Sequence, residues 1–312
     1  MPQPLRESLL IAMALLNLPG FGAGALRSVL TAAYERRKPL HKWIDSSPEA
    51  LARALDVSVA TRIIAHRPLN PAAESRELQA HIANGGSAYL LTDAGYPAAL
   101  KDMAEPPPLL FLVGNEQLLA RPAGAVAGAR KADEQGLQLA AESAAIIASE
   151  GTVVSGGADG VDIAAHEAAV AVKGGATVIV LPVGVGAAAA PDFVYPAINQ
   201  GRVLALSAEM PFSKWETHQA VGRNPIIAAL ARVVVVIDPD KTGGSIRTAK
   251  AALDLGRRVF VWGSERRAET VERLLASGAH PLVDEAGAVR ADALLAALRE
   301  PPAEPEGEAF LF

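Results

Sequence analysis

The stretch SGGADGVDIAAH at residues 155–166 decides the fold, together with a second one, TGGSIRTA at residues 242–249. Each follows a β-branched run, VVS from Val153 and VVVVI from Val233, and each leads into an alanine-rich segment of helical spacing. The unit is strand, glycine turn, helix, and the chain contains it twice. Glycine lets the backbone turn sharply and come close to a ligand, and the N–H groups that open the following helix carry partial positive charge. The two turns, Ser155, Gly156 and Gly157 in one and Gly243, Gly244, Ser245 and Thr248 in the other, therefore predict an anion site suited to phosphate.

Working outward, the same alternation runs through the chain from Ala123. AVAG ends at Gly128 and precedes a helix over 134–150. TVVS precedes a helix over 161–172, TVIVLPVG one over 192–200, and VLALS one over 225–231; VVVVI precedes a helix over 245–255, and RVFVW closes the series. Apolar strands alternating with helices predict an α/β fold with a doubly wound, mostly parallel sheet. Ligands of such sheets bind beyond the carboxyl ends of the strands, where the loops AGAR (127–130), SGG, PVGVG and TGGS all fall. Four parts are expected: a small helical module over 1–70, a connector over 71–122 packing on the main domain, the main domain over 123–300, and an acidic, proline-rich disordered tail over 301–312. The first part is locally basic, with nine Lys and Arg against five acids between Arg6 and Arg67. Its Gly20-Phe21-Gly22 turn resembles that of a helix-hairpin-helix.

Across all 312 residues, 29 Lys and Arg face 34 Asp and Glu, a formal charge of −5. Overall charge thus gives no argument for nucleic-acid binding, and a polyanion must be held by a local patch. With no cysteine, disulfides, cysteine-ligated zinc and thiol catalysis are excluded. No apolar run reaches membrane-spanning length, and the start, MPQPLRESLLIAMALL, has a Glu and no small-residue cleavage site. A cytoplasmic protein is expected.

Several side chains carry the chemistry. Arg130 lies where a strand ends and a helix is about to begin, with Gly128 and Ala129 leaving room; there a guanidinium chelates phosphate together with the helix N-terminus, or is an ordinary surface arginine. Arg223 and Asn224 bring a cation and an amide to a second helix start, marked by Pro225. Asp162 and His166, one turn apart, are explained as a helix cap and its buried packing partner. Two ligands without a third make no metal site, so neither a metal nor a cofactor is expected. The loop over 210–222 mixes Phe212, Lys214, Trp215 and His218, a composition that serves base stacking, a lid or a packing patch.

In order and spacing, YPAAL (96–100), PPPLLFLVGN (106–115), AGAR, SGGADGVDIAAH, YPAINQG (195–201), SAEMP (207–211), GRNPIIAAL (222–230) and GGSIRTAKAALDLGRRVFV (243–261) resemble the DNA-processing protein A family, also called DprA or Smf. The resemblance covers roughly residues 90–300. It implies an extended Rossmann-like domain, binding of single-stranded DNA, loading of the RecA recombinase during natural transformation, and no catalysis. A homodimer is the expected assembly. The family's GSR turn falls on Gly128, Ala129 and Arg130; its SGxAxGID motif on Ser155, Gly156, Ala158, Gly160 and Asp162, followed by His166. RNR falls on Arg223, Asn224 and Pro225, and SGS…TA on Gly244, Ser245, Thr248 and Ala249. Two basic positions are absent, at Pro225 and Ala197.

The competing reading is a nucleotide sensor or an enzyme like the phosphoribohydrolases, which resemble this fold and use a PGGxGT turn with a glutamate. TGGSIRT has no such glutamate. A dehydrogenase needs GxGxxG, and Gly156, Gly157 and Gly160 are spaced differently. Finally, the tail ends in Phe310, Leu311 and Phe312 and resembles peptides that bind the sliding clamp; it either docks into a partner such as the clamp or folds back on its own domain.

Overall fold

The structure is a computed structural model that describes residues 3–215, 219 and 222–301. The predicted tail motif at 310–312 and His218 lie outside the described residues. Nine strands form one sheet: β1 (Gly86–Leu90), β2 (Leu109–Gly114), β3 (Ala123–Gly128), β4 (Thr152–Ser155), β5 (Ala176–Val180), β6 (Val203–Ser207), β7 (Val233–Ile237), β8 (Arg258–Trp262) and β9 (His280–Pro281). Their order is β1-β2-β6-β5-β4-β3-β7-β8-β9. All neighbours from β6 through to β9 pair in parallel, whereas β2 is antiparallel to both β1 and β6. The expected doubly wound α/β sheet is present.

Six helices precede the sheet: α1 (Gln3–Leu16), α2 (Ala23–Glu35), α3 (Leu40–Trp43), α4 (Pro48–Ala52), α5 (Val57–Ala65) and α6 (Ala72–Ala83). Then come α7 (Ala98–Lys101), α8 (Glu134–Glu150), α9 (Val161–Ala171), α10 (Val194–Asn199), α11 (Asn224–Leu230), α12 (Gly244–Asp254), α13 (Ala268–Ala276) and α14 (Ala291–Arg299). The central strands are apolar throughout because helices cover both faces. Val234 and Val236 of β7 pack toward α11 and α12, and Val233, Val235 and Ile237 pack toward α8, α9 and α14. That alternation is the two-residue period of a strand. Small residues in β3 let the helices approach: a Cβ on Gly124 would meet Ile147 Cδ1 at 2.9 Å. The helix α8 starts where Asp133 accepts the Gly136 N–H at 2.9 Å and stops at Gly151, so both ends are written in the sequence.

Residues 71–122, expected as a connector, supply β1 and β2 to the sheet. These short runs pair with each other and with β6, far along the chain, and nothing local announces such a pairing. The helical segment before them shares their core. Leu9, Met13, Leu26, Trp43 and Ile63 join Leu90 and Phe111 in one continuous apolar cluster.

The chain adds strands in one direction from β3 to β6 and in the other from β7 to β9. This reversal opens a crevice between the carboxyl ends of β3 and β7, the place where open α/β sheets bind ligands.

Candidate functional site

A cleft of about 660 Å³ occupies that crevice. Of the predicted residues, Gly128, Ala129, Arg130, Arg223, Asn224, Gly243, Gly244, Ser245 and Thr248 line it, as does Asp162. The first glycine turn is brought less directly to the opening. Ser155 is fully buried and its hydroxyl donates to the Val126 carbonyl at 2.5 Å, which fastens β4 to β3. Gly156 lies beneath the Arg223 guanidinium, so close that a Cβ there would sit 1.3 Å from Nη1, and Gly157 turns the chain with φ +73°. These glycines make room for protein atoms rather than for a ligand.

The second turn is open. Gly243 adopts extended backbone at the start of α12 and no side chain caps the helix, so its first N–H groups face the cleft unclaimed. Three exposed cations stand around them: Arg130, Lys131 and Arg247, none with an ion-pair partner among the described residues. Two further arginines are tied down. Arg267 pairs with Asp240 and, at 3.7 Å, with the buried Asp238; Arg223 faces Asp162 at 3.8 Å with both side chains buried. Both carboxylates that line the cleft therefore have an arginine beside them.

Asp162 accepts the Ala158 N–H at 3.3 Å across the turn that opens α9. Burial pushes its carboxyl up and the Arg223 guanidinium pulls it back; the same burial pushes Arg223 down while Asp162 opposes it. His166 is completely buried, stacked near Phe193 with ring centroids 6.3 Å apart. Thr177 donates its hydroxyl proton to the Val153 carbonyl, so its oxygen accepts from His166 Nδ1 at 2.6 Å. Nδ1 thus carries a proton. Burial first, and Arg223 second, push His166 down to about 3. No group of three His, Asp or Glu that could hold a metal occurs among the described residues.

That shift sets a pH dependence. The folded value lies below the unfolded value near 6.5, so protonation opposes folding: stability is complete above about pH 6.5 and is lost as pH falls toward 3. The slope is about 1.4 kcal/mol per pH unit, or about 2 kcal/mol between pH 6.5 and 5. Urea unfolding of the parent and of His166→Gln over that range checks this; the difference between them should shrink as pH falls, and parallel curves would contradict it.

Sequence reasoning missed Lys131, Arg247, Asp240 and Arg267. Arg247 stands inside the quoted TGGSIRTA, and its place on the first turn of α12, beside the uncapped amides, was a usable signal. Arg267 had none, since only the pairing of β7 with β8 carries it to the cleft. Asp238 also escaped notice. It follows β7 directly with φ +49°, a backbone unusual for a residue other than glycine, and is held by the Ser264 N–H at 2.9 Å and hydroxyl at 2.7 Å. In the loop over 210–215, Trp215 lines the cleft and is 55% exposed, and Phe212 is 41% exposed. The Gly20 turn is used internally: Phe21 is buried and Arg62 donates to the Gly20 carbonyl. No helix among the described residues is long and apolar enough to cross a membrane.

Residues 87–292 match the family described as DNA recombination-mediator protein A. The DNA processing protein DprA of Streptococcus pneumoniae is 33% identical over 205 residues, 63% of this chain and 68% of that one. Protein Smf of Synechocystis is 33% identical over 180 residues, 54% of this chain and 44% of its own length. The X-ray structure of DNA processing protein A from Streptococcus pneumoniae superposes with a TM-score of 0.74 at 25% identity, over 93% of this chain and 97% of that chain. The Helicobacter pylori DNA processing protein A, solved for its single-stranded DNA binding mode, gives a TM-score of 0.55 at 25% identity over 67% and 96%. With two thirds of its length matched, this chain belongs to the DNA recombination-mediator protein A family.

Proposed function

We propose that this protein binds single-stranded DNA across the carboxyl edge of its sheet, makes and breaks no bond in it, and passes it to the RecA recombinase during DNA uptake. One observation carries the reading: three cations without an ion-pair partner among the described residues, Arg130, Lys131 and Arg247, converge on the uncapped start of α12 in a chain whose overall charge is −5. An acidic protein that gathers unpaired positive charge at a helix N-terminus is built to hold a phosphate there. Against a hydrolytic role, the cleft carboxylates Asp162 and Asp240 are each engaged by an arginine, which leaves neither suited to act as a base. Arg223, Gly156, Asp162 and His166 are structural in this scheme and shape the wall, while Arg130, Lys131 and Arg247 meet the phosphates. A homodimer and docking of Phe310, Leu311 and Phe312 on the sliding clamp complete the proposal. Light scattering and pull-down with the 308–312 deletion test those two parts.

The central test is anisotropy of labelled oligothymidylate over a salt series. Removing two phosphate contacts with Arg130→Ala and Arg247→Ala should flatten the slope of log affinity against log salt by about 1.4, since each contact contributes about 0.7 on a single strand. An unchanged slope and affinity would place the DNA elsewhere.

A further inference from the structure

The geometry points to a second contact for the same strand in the N-terminal helices: a cationic groove at the end of α2 that continues the DNA path out of the cleft. The inference rests on the proposed binding of single-stranded DNA. Two adjoining hollows, of about 210 and 540 Å³, share Tyr34, Lys38 and Pro39. The smaller has an apolar floor, with Leu30 and Leu90, and carries Lys38 beside Asp93; the larger adds Arg37 and Glu35 to the shared residues. Arg37 and Lys38 are exposed and have no ion-pair partner among the described residues. The acids nearby are already occupied: Glu35 pairs with Arg36 at 3.6 Å, and the buried Asp93 accepts the Leu90 N–H at 2.8 Å. An apolar floor with an aromatic wall and two free cations suits a base with its flanking phosphates.

Strand directions place this groove on the DNA-binding edge. Because β2 is antiparallel to both β1 and β6, β1 runs parallel to β6 and ends at Leu90 on the edge where β3 and β7 end. Five strand spacings separate β1 from β3, on the order of 24 Å. Packed elements link the two places. Trp215 lines the cleft, Phe212 of the same loop donates its N–H to Glu77 of α6 at 3.3 Å, and α6 packs on α1 and β1, whose Ser8 and Leu90 line the groove. The loop is braced from beneath by the Gly184 N–H on the Ser213 carbonyl at 3.1 Å and the Gly186 N–H on the Pro211 carbonyl at 2.8 Å. Five large apolar side chains are exposed among the described residues, and three of them, Trp215, Phe212 and Tyr34, fall on this line. Exposed aromatics set between two cationic patches suit a single strand bound without reading sequence.

The test compares oligothymidylates of about 4 and about 16 nucleotides on the intact protein and on Arg37→Asn with Lys38→Ser; asparagine tolerates the positive φ of Arg37. The long strand should lose about 1.4 from its salt slope and bind roughly 25-fold more weakly at about 0.1 M salt, the counterion-release value for two phosphates. The short strand, held in the cleft, should bind as before. Equal behaviour of the long strand in parent and variant overturns the groove, and so does an equal loss for both lengths. A short strand that ignores Arg130→Ala with Arg247→Ala instead removes the cleft reading on which the groove depends, so the two failures are told apart.

Discussion

Arg223→Ala is expected to cost about 3–5 kcal/mol of folding stability, the range for stripping one partner from a buried ion pair. The guanidinium fills the space over Gly156 and faces Asp162 at 3.8 Å, with both side chains nearly closed to solvent. Its removal leaves an acid that burial already penalises without its nearest cation, above a void the glycine cannot fill. The melting temperature should fall on the order of 10 °C. Asp162→Asn in the same background should return more than half of the loss, because an amide needs no counter-charge in the same place. A drop of less than about 1 kcal/mol in the single variant would show that the pair contributes no more than a surface bridge. Binding of DNA should fall together with the fold of the turn, in contrast to Arg130→Ala and Arg247→Ala, which should weaken binding at unchanged melting temperature.

The second large effect is expected at Gly160, which opens α9 with φ +80°. Two penalties coincide there. With ψ at −122° this backbone lies outside the left-handed helical well and costs a residue other than glycine about 1–3 kcal/mol, and a Cβ would stand 2.5 Å from the Arg130 carbonyl oxygen and 2.6 Å from that of Ala129. Those atoms are backbone, so relief requires the AGAR loop itself to move, at about 1–3 kcal/mol more. Gly160→Ala should therefore lose roughly 3 kcal/mol by urea unfolding and should also displace Arg130 from the cleft, weakening DNA binding. By contrast, a Cβ at Gly174 meets no atom within 4 Å, although its φ is also positive at +76°. Gly174→Ala should thus show the backbone penalty alone and leave binding intact. If the two variants behave alike, contact with the AGAR loop is not what requires glycine at 160.

The sequence by itself determined the alternating core and the edge on which the cleft opens. VVVVI and ATVIV can be buried on both faces only in a parallel sheet covered by helices, and glycine turns at the ends of β4 and β7 mark the edge where such sheets bind ligands. Periodicity and turn chemistry are local, so a linear reading captures them. Tertiary structure alone decided which residues of those turns face outward. Ser155 and Gly156 carry the same motif signature as Gly243 and Gly244, yet the first pair is closed over by Val126 and Arg223 while the second lies open at an uncapped helix. It also decided that β1 and β2 join the sheet, that Arg267 reaches the cleft from beyond β8, and that a basic turn at Arg37 shares an edge with Arg130. The physical reason is common to all of these. Each depends on pairing or burial between segments far apart in the chain, a contact energy that no local run of residues encodes.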